Sequence, residues 1–355
     1  MTSHSNEATQ SNLIPALNSN SSVNVVVDVM GGDNAPQVVI EGARQFLASS
    51  NPLDKSVCLA LVGDAAVLEP LKNEYPERVT AVATTEVIEM DEHPAAAVRQ
   101  KKDSSIVVGC TLVKEKKADA FFSAGSTGGA MTAATLIIGR IRGISRPAIG
   151  TVVPAPKGQV LLLDAGANTD VKVDYIQQFA AMGEVFAREV MGIAKPRVGL
   201  LNVGSEDTKG SMMAQEAFAL LQESIEGFTG NAEGSDLFSG NFDVIATDGF
   251  TGNVVLKTME GLVSSFFGEL KGIFYASPLN KLAAAVIKSD LKGLKDQLDV
   301  EAIGGAPLLG LTASVVIGHG SSSAFAIESG IRATALAARQ RIPEHIASAI
   351  SHKAE

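Results

Sequence analysis

Several common chemistries have no motif in this chain of 355 residues. It has no G-x-S-x-G elbow to expose a nucleophilic serine and no H-E-x-x-H pair to hold zinc. No G-x-G-x-x-G follows the first apolar run, which argues against a dinucleotide-binding unit. The nearest approach to a Walker A loop runs from Gly204 to Lys209-Gly210 and lacks the Gly-Lys-Ser/Thr ending. Cysteine is scarce. Cys58 and Cys110 stand in apolar contexts outside any C-x-x-C pair, so neither a disulfide framework nor a zinc site is expected. Asp28, Asp33 and Asp164 sit at strand ends without metal-ligand spacing, so they are expected to cap helices and orient loop amides. No metal and no cofactor is expected. No apolar run reaches the length of a spanning helix. The net charge of −10 argues against non-specific nucleic acid as a partner, and none is expected. Residues 1–22 are rich in Ser and Asn and lack the layout of a signal peptide. They read as a disordered tail, and a cytoplasmic location is expected.

What the chain does have is glycine, 34 residues of it, and apolar side chains, 46% of the total. That balance suits a folded α/β protein of one large domain or two. One local pattern recurs six times: a Val/Ile/Leu-rich run ends in a Gly-rich polar loop, and a helix-like stretch follows. The runs are Val25–Val29, Ala120–Phe122, Val160–Leu163, Val198–Leu201, Phe242–Ala246 and Val315–Ile317. In an open parallel sheet, ligands bind beyond the C-terminal strand ends. Glycine N–H groups and helix N-termini gathered there favour an anion, and phosphate is the expected one.

The periodicity predicts strands over 23–29, 56–63, 79–88 and 118–123. Helices are predicted between and after them over 36–49, 65–75, 94–102, 104–117 and 127–140. Two apolar runs flanking Pro154-Ala155-Pro156-Lys157-Gly158 predict an antiparallel hairpin over 148–164, at a sheet edge or in a subdomain. Helix 171–190, strand 197–203, helix 209–226, strand 242–247 and a long helix from 251 follow. Apolar residues recur at helical spacing from Val255, break at Pro278 and resume at Leu279, predicting a helical hairpin over 255–298. Its tip, with Phe274, Tyr275 and Leu279, is apolar. Between Lys271 and Lys295, five lysines face one acid, Asp290, giving +4 inside a chain of −10. Such a hairpin serves as a dimerisation or core element with a solvated lysine face. An apolar tip among lysines also suits peripheral contact with an anionic membrane. Residues 341–355 read as a C-terminal tail.

Four loops offer chemistry. Ser123-Ala124-Gly125-Ser126-Thr127-Gly128-Gly129 suits an oxyanion held by backbone N–H groups and hydroxyls. It equally suits an ordinary helix cap with glycines for close packing. In Asn202–Gly210, Ser205 and Thr208 precede a helix expected to open at Lys209. A lysine there opposes the helix dipole and gains from an adjacent anion. The alternative is a surface lysine beside Glu206 and Asp207. Asp248, Thr251 and Asn253 form a third cluster, in which the Asn253 amide suits a carbonyl oxygen gaining charge. The same cluster also suits capping of the long helix. His319, between two glycines, is a candidate proton carrier or phosphate donor, or a loop histidine satisfying nearby carbonyls. Gly31, Gly32 and Asp33, after the run Val25–Val29, and Asn168, after the run Val160–Leu163, complete the candidate anion site.

The segment Val27-Asp28-Val29-Met30-Gly31-Gly32-Asp33-Asn34-Ala35-Pro36 resembles the opening signature of the PlsX family, phosphate acyltransferases of bacterial phospholipid synthesis. The resemblance continues through Arg99–Ser105, Ser123–Gly129, Leu163–Asn168, Leu201–Gly210, Thr247–Asn253, Gly304–Gly310 and His319–Ser322. It implies one α/β domain over 23–340, with a three-layer, Rossmann-like, mostly parallel sheet and a protruding helical hairpin. That fold is similar to phosphate acetyltransferase and the isocitrate/isopropylmalate dehydrogenase group. The implied reaction moves a fatty acyl group from acyl-[acyl carrier protein] to inorganic phosphate. The acyl phosphate then goes to a membrane glycerol-3-phosphate acyltransferase. The resemblance further implies a homodimer in peripheral contact with the inner face of the cell membrane, and Lys209 and Asn253 as the positions of chemistry. Phosphate is itself the nucleophile in such a reaction, so no reactive Ser or Cys is required. An NAD-dependent dehydrogenase of the related fold is the competing reading, and the missing dinucleotide fingerprint counts against it.

Overall fold

In the computed structural model, which describes residues 22–155, 158–298 and 304–351, the apolar runs become strands of one sheet. The tail expected over 1–22 lies outside the described residues except for Ser22. The first elements are β1 (Val23–Asp28), α1 (Gln37–Ala48), α2 (Pro52–Lys55), β2 (Val57–Gly63), α3 (Ala65–Glu74) and β3 (Val79–Ala83). Next come α4 (Pro94–Gln100), α5 (Ser105–Lys114), β4 (Ala120–Ser123), α6 (Thr127–Ala133), β5 (Ala148–Ala155) and β6 (Gly158–Leu163). They are followed by α7 (Val173–Glu189), β7 (Val198–Leu201), α8 (Met212–Ser224), β8 (Phe228–Ala232) and β9 (Val244–Ala246). The chain continues through α9 (Gly249–Tyr275), α10 (Pro278–Leu298), β10 (Ala306–Leu309), β11 (Ser314–Ile317), α11 (Ala324–Arg339) and α12 (Ile342–Ser351).

The strand order is β3-β2-β1-β4-β11-β10-β5-β6-β9-β7-β8. From β3 to β11 the strands are parallel, and so are those from β6 to β8. Between the two blocks, β10 and β5 are antiparallel to each neighbour, so the blocks run in opposite directions. The expected hairpin is therefore central rather than at an edge. Val160–Leu163 of β6 are all buried, and consecutive buried apolar residues need cover on both faces. Val25 and Val27 pack with α1 and α11, while Val26 packs with α5, which gives the three-layer fold. Burying each large aliphatic or Phe side chain contributes about 1.5–3 kcal/mol.

Several expected boundaries move. β3 stops at Ala83, five residues before the expected end at 88, and α6 gives way to a wider turn over Ala134–Ile138. α8 opens at Met212, because the Ser211 hydroxyl caps it by accepting from the Ala214 N–H at 3.2 Å. Lys209 is thus in the preceding loop and not at a helix start. The expected C-terminal tail contains α12, whose Ile342 and Ile346 are buried in the same core as α7.

Candidate active site

Because β1, β4 and β11 are parallel neighbours, their C-terminal loops emerge side by side. Asp28, fully buried at the end of β1, accepts from the Ser123 hydroxyl at 2.7 Å and the Met30 N–H at 3.1 Å. The Ser123 oxygen in turn accepts from the Gly125 N–H at 3.0 Å. Burial pushes the Asp28 carboxyl above the usual range, and hydrogen bonds from Ser105 and Ser123 offset part of that. Gly31 lies so close that a Cβ there would stand 2.6 Å from the Gly125 nitrogen. The loop after β11 joins them: the Gly318 N–H donates to the Ser123 carbonyl, and the Asp33 N–H donates to the Gly320 carbonyl, both at 2.8 Å.

A second knot forms at β6 and β9. The Asp164 carboxylate accepts from the N–H groups of Ile149, Gly166, Ala167 and Asn168, and from the Asn168 side-chain amide, at 2.8–3.1 Å. Burial raises its pKa, and these hydrogen bonds oppose the rise. Gly252, in the first turn of α9, presses on the Asp164 carbonyl where no Cβ fits. This close seating places the Asn253 amide over the Gly166 backbone.

Between the two knots lies a cavity of about 900 Å³. Polar groups enter it from Asp33, Gly125, Thr127, Asn253, His319 and Ser322. Its long wall is one face of α9: Leu256, Met259, Val263 and Phe267, facing Val152, Val153 and Pro154 of β5. Lys257 and Glu260 line it too, paired at 2.7 Å. The His319 Nδ1 lies 2.8 Å from the Ser321 hydroxyl and 3.3 Å from the Ser321 N–H, which orients the ring.

Five expected site residues therefore meet in one cavity: Asp33, Gly125, Thr127, Asn253 and His319. Others do internal work. Ser123 serves Asp28, and Ser126 caps α6 by accepting from the Gly129 N–H at 3.2 Å. Asn168 donates to the Pro147 carbonyl and to Asp164. Asp248 caps α9, accepting from the Thr251 N–H and hydroxyl. Gly31, Gly32 and Gly128 allow close packing; a Cβ on Gly128 would meet Pro94 at 2.6 Å. Ser205, Thr208 and Lys209 do not line the cavity. Their loop closes on itself: the Asn202 amide donates to the Lys209 carbonyl, and Gln215 donates to those of Thr208 and Gly210. Lys209 is half exposed and 3.8 Å from Glu206.

The expectations missed Thr151, Lys257, Glu260 and Ser322, together with the whole α9 wall. The helical spacing of its apolar residues was visible, but not which of them face inward. At the hairpin tip, Tyr275 and Leu279 are exposed, while Phe274 is half buried. Among the described residues, no helix is long and apolar enough to cross a membrane, and no group of three or more His, Cys, Asp or Glu is placed to hold a metal.

The fold is that of the phosphotransacetylases. The EutD phosphotransacetylase from Staphylococcus aureus aligns with a TM-score of 0.58 at 17% identity, covering 90% of this chain and 95% of that one. The fold alone does not choose a chemistry. A 4-hydroxythreonine-4-phosphate dehydrogenase from Klebsiella pneumoniae aligns at TM-score 0.51 and 16% identity, over 90% of this chain and 99% of its own. Sequence does choose. The model of the fatty acid synthesis protein family matches residues 23–345, and the chain belongs to that family. A phosphate acyltransferase of Desulfitobacterium hafniense is 49% identical over 311 residues, 87% of this chain and 92% of the relative. Membership makes the chain an enzyme and bears out the resemblance drawn from its motifs.

Proposed function

We propose that this enzyme transfers a fatty acyl group from acyl carrier protein to inorganic phosphate, producing acyl phosphate for phospholipid synthesis. The observation that carries the proposal is a single cavity joining anion-suited loops to an apolar wall long enough for a hydrocarbon chain. Acyl transfer to phosphate also agrees with the names of the curated relatives. Phosphate sits among the Gly125–Thr127 backbone and the His319–Ser322 loop. One phosphate oxygen attacks the thioester carbonyl carbon, and the C=O electron pair moves onto oxygen. Asn253 and loop N–H groups hold that oxyanion. Its collapse forms the acyl phosphate, breaks the C–S bond and releases the carrier thiolate, which takes up a proton. The His319 imidazole, which lines the cavity, is a candidate source of that proton. Lys209 stands outside the cavity, on the loop after β7 beside the start of α9, and its proposed part is to reach in and offset phosphate charge once substrate is bound. Its ammonium lies 3.8 Å from the exposed Glu206 carboxylate, a long contact that a bound anion can replace. The shared fold is the sole support for a dehydrogenase, and none of the cavity's features favours one.

The direct test incubates palmitoyl-carrier protein with phosphate and looks for hydroxylamine-sensitive acyl phosphate, whose absence would overturn the reading. The proposal extends to the hairpin of α9 and α10. Its outward apolar side chains, Leu262, Phe266, Tyr275, Leu279 and Val286 among them, suit a homodimer along the stems and an anionic membrane surface at the tip. A cytoplasmic enzyme docked in this way delivers acyl phosphate to a membrane glycerol-3-phosphate acyltransferase. Flotation with anionic liposomes tests the contact: Phe274→Glu with Leu279→Glu should abolish recovery.

A further inference from the structure

α9 carries apolar residues nearly all round, yet its two sides differ. Leu262 and Phe266 face outward and are mostly exposed. Leu256, Met259, Val263 and Phe267 are half buried and line the cavity at helical spacing. From Leu256 to Phe267 the helix advances about 16 Å, at ~1.5 Å per residue. One leaflet of a membrane's hydrocarbon core, about 15 Å deep, measures the reach of a lipid acyl chain. The two lengths agree. The wall begins one turn beyond Asn253, so a chain whose carbonyl lies at that amide would run along this face. Phe267 comes last on it, and Phe238, across the cavity, adds a second ring to the lining.

We infer that the α9 face of Leu256, Met259, Val263 and Phe267 is a gauge that sets acyl-chain length, with Phe267 as its stop. The inference rests on the proposed acyl transfer and deepens it by naming specificity-determining residues. A ring placed midway blocks long chains and spares short ones; removing the ring at the stop admits longer ones. A single methylene in an apolar pocket discriminates by about tenfold or more. The gauge is therefore readable as a ratio rather than as an absolute rate.

The test uses the full chain with carrier proteins bearing saturated acyl groups of graded length, and compares kcat/KM for long and short donors. Val263→Phe should lower the long-to-short ratio by about tenfold, and Phe267→Ala should move the optimum to longer chains. A merely structural role would scale all donors alike. If Val263→Phe does not fold, judged by circular dichroism, Val263→Ala and Phe267→Ala still report on the same wall through the upward shift. Ratios that stay within twofold of the parent in an active enzyme overturn the gauge alone. A parent inert toward every donor overturns the proposed reaction, and the gauge with it.

Discussion

The loops after β4 and β7 look alike in sequence and differ in fate. Each follows a parallel strand, is rich in glycine and hydroxyls, and leads toward a helix. The loop after β4 emerges between β1 and β11, and both neighbours contribute glycines that touch it. Ser123 and Ser126 make short-range bonds within it, and Gly125 and Thr127 are left lining the cavity. The loop after β7 emerges one strand from the sheet edge. Its carbonyls are taken by Asn202, Gln215 and Asn231 side chains, and its hydroxyls stay in solvent. Position in the sheet, more than composition, decides which Gly-rich loop helps build a pocket.

The largest expected effect anchors the cavity side of this contrast. Asn253→Ala should lower acyl transfer by about a hundredfold to a thousandfold, the scale of a lost oxyanion donor, with little change in melting temperature. Lys209→Ala attacks the contrast directly. We expect at least about a tenfold loss of turnover, which would bring the β7 loop into the chemistry despite its place outside the cavity. Turnover within twofold of the parent would leave Lys209 a surface cation. A glycine pair sharpens the packing difference. Gly31→Ala drives a Cβ against the Gly125 backbone and should destabilise by about 1–3 kcal/mol in urea melts. At Gly204 the same change meets only the movable side chains of Glu206 and Lys209 and should cost under about 0.5 kcal/mol.

The smallest effect concerns how β7 is tied to β9. Burial would raise the Asp243 carboxyl, but Arg197, bonded to both its oxygens, holds it below the usual range. Stability from such a group is present above the unfolded pKa of about 3.9 and is lost as pH falls through the lower folded value. The melting-temperature gap between parent and Asp243→Asn should therefore be open near neutrality and close below about pH 4. A gap that widened in acid would contradict the assignment.

Element types were legible because each apolar run is bounded by glycine and polar residues. Val25–Val29 and Val198–Leu201 needed no tertiary information. Strand order was not legible: nothing in Ala148–Leu163 says that its neighbours will be β10 and β9. β8, whose residues are Phe-Thr-Gly-Asn-Ala, shows no apolar alternation and is held by pairing with β7. At the site, residue types were read well and roles less well. Ser126, Asn168 and Asp248 were candidate ligands, and each spends its hydrogen bonds on the chain itself. A polar side chain in a loop faces two markets, substrate and backbone, and sequence alone does not tell them apart.

The outer face of α9 and α10 has a practical corollary. Every large apolar group left in water forgoes about 1.5–3 kcal/mol that burial would return. Whatever shields Leu262, Phe266, Leu282 and Val286 therefore acts as a stabilising ligand, obeying mass action. A melting point recorded for this enzyme describes the sample, its concentration and its lipid or detergent content as much as the polypeptide.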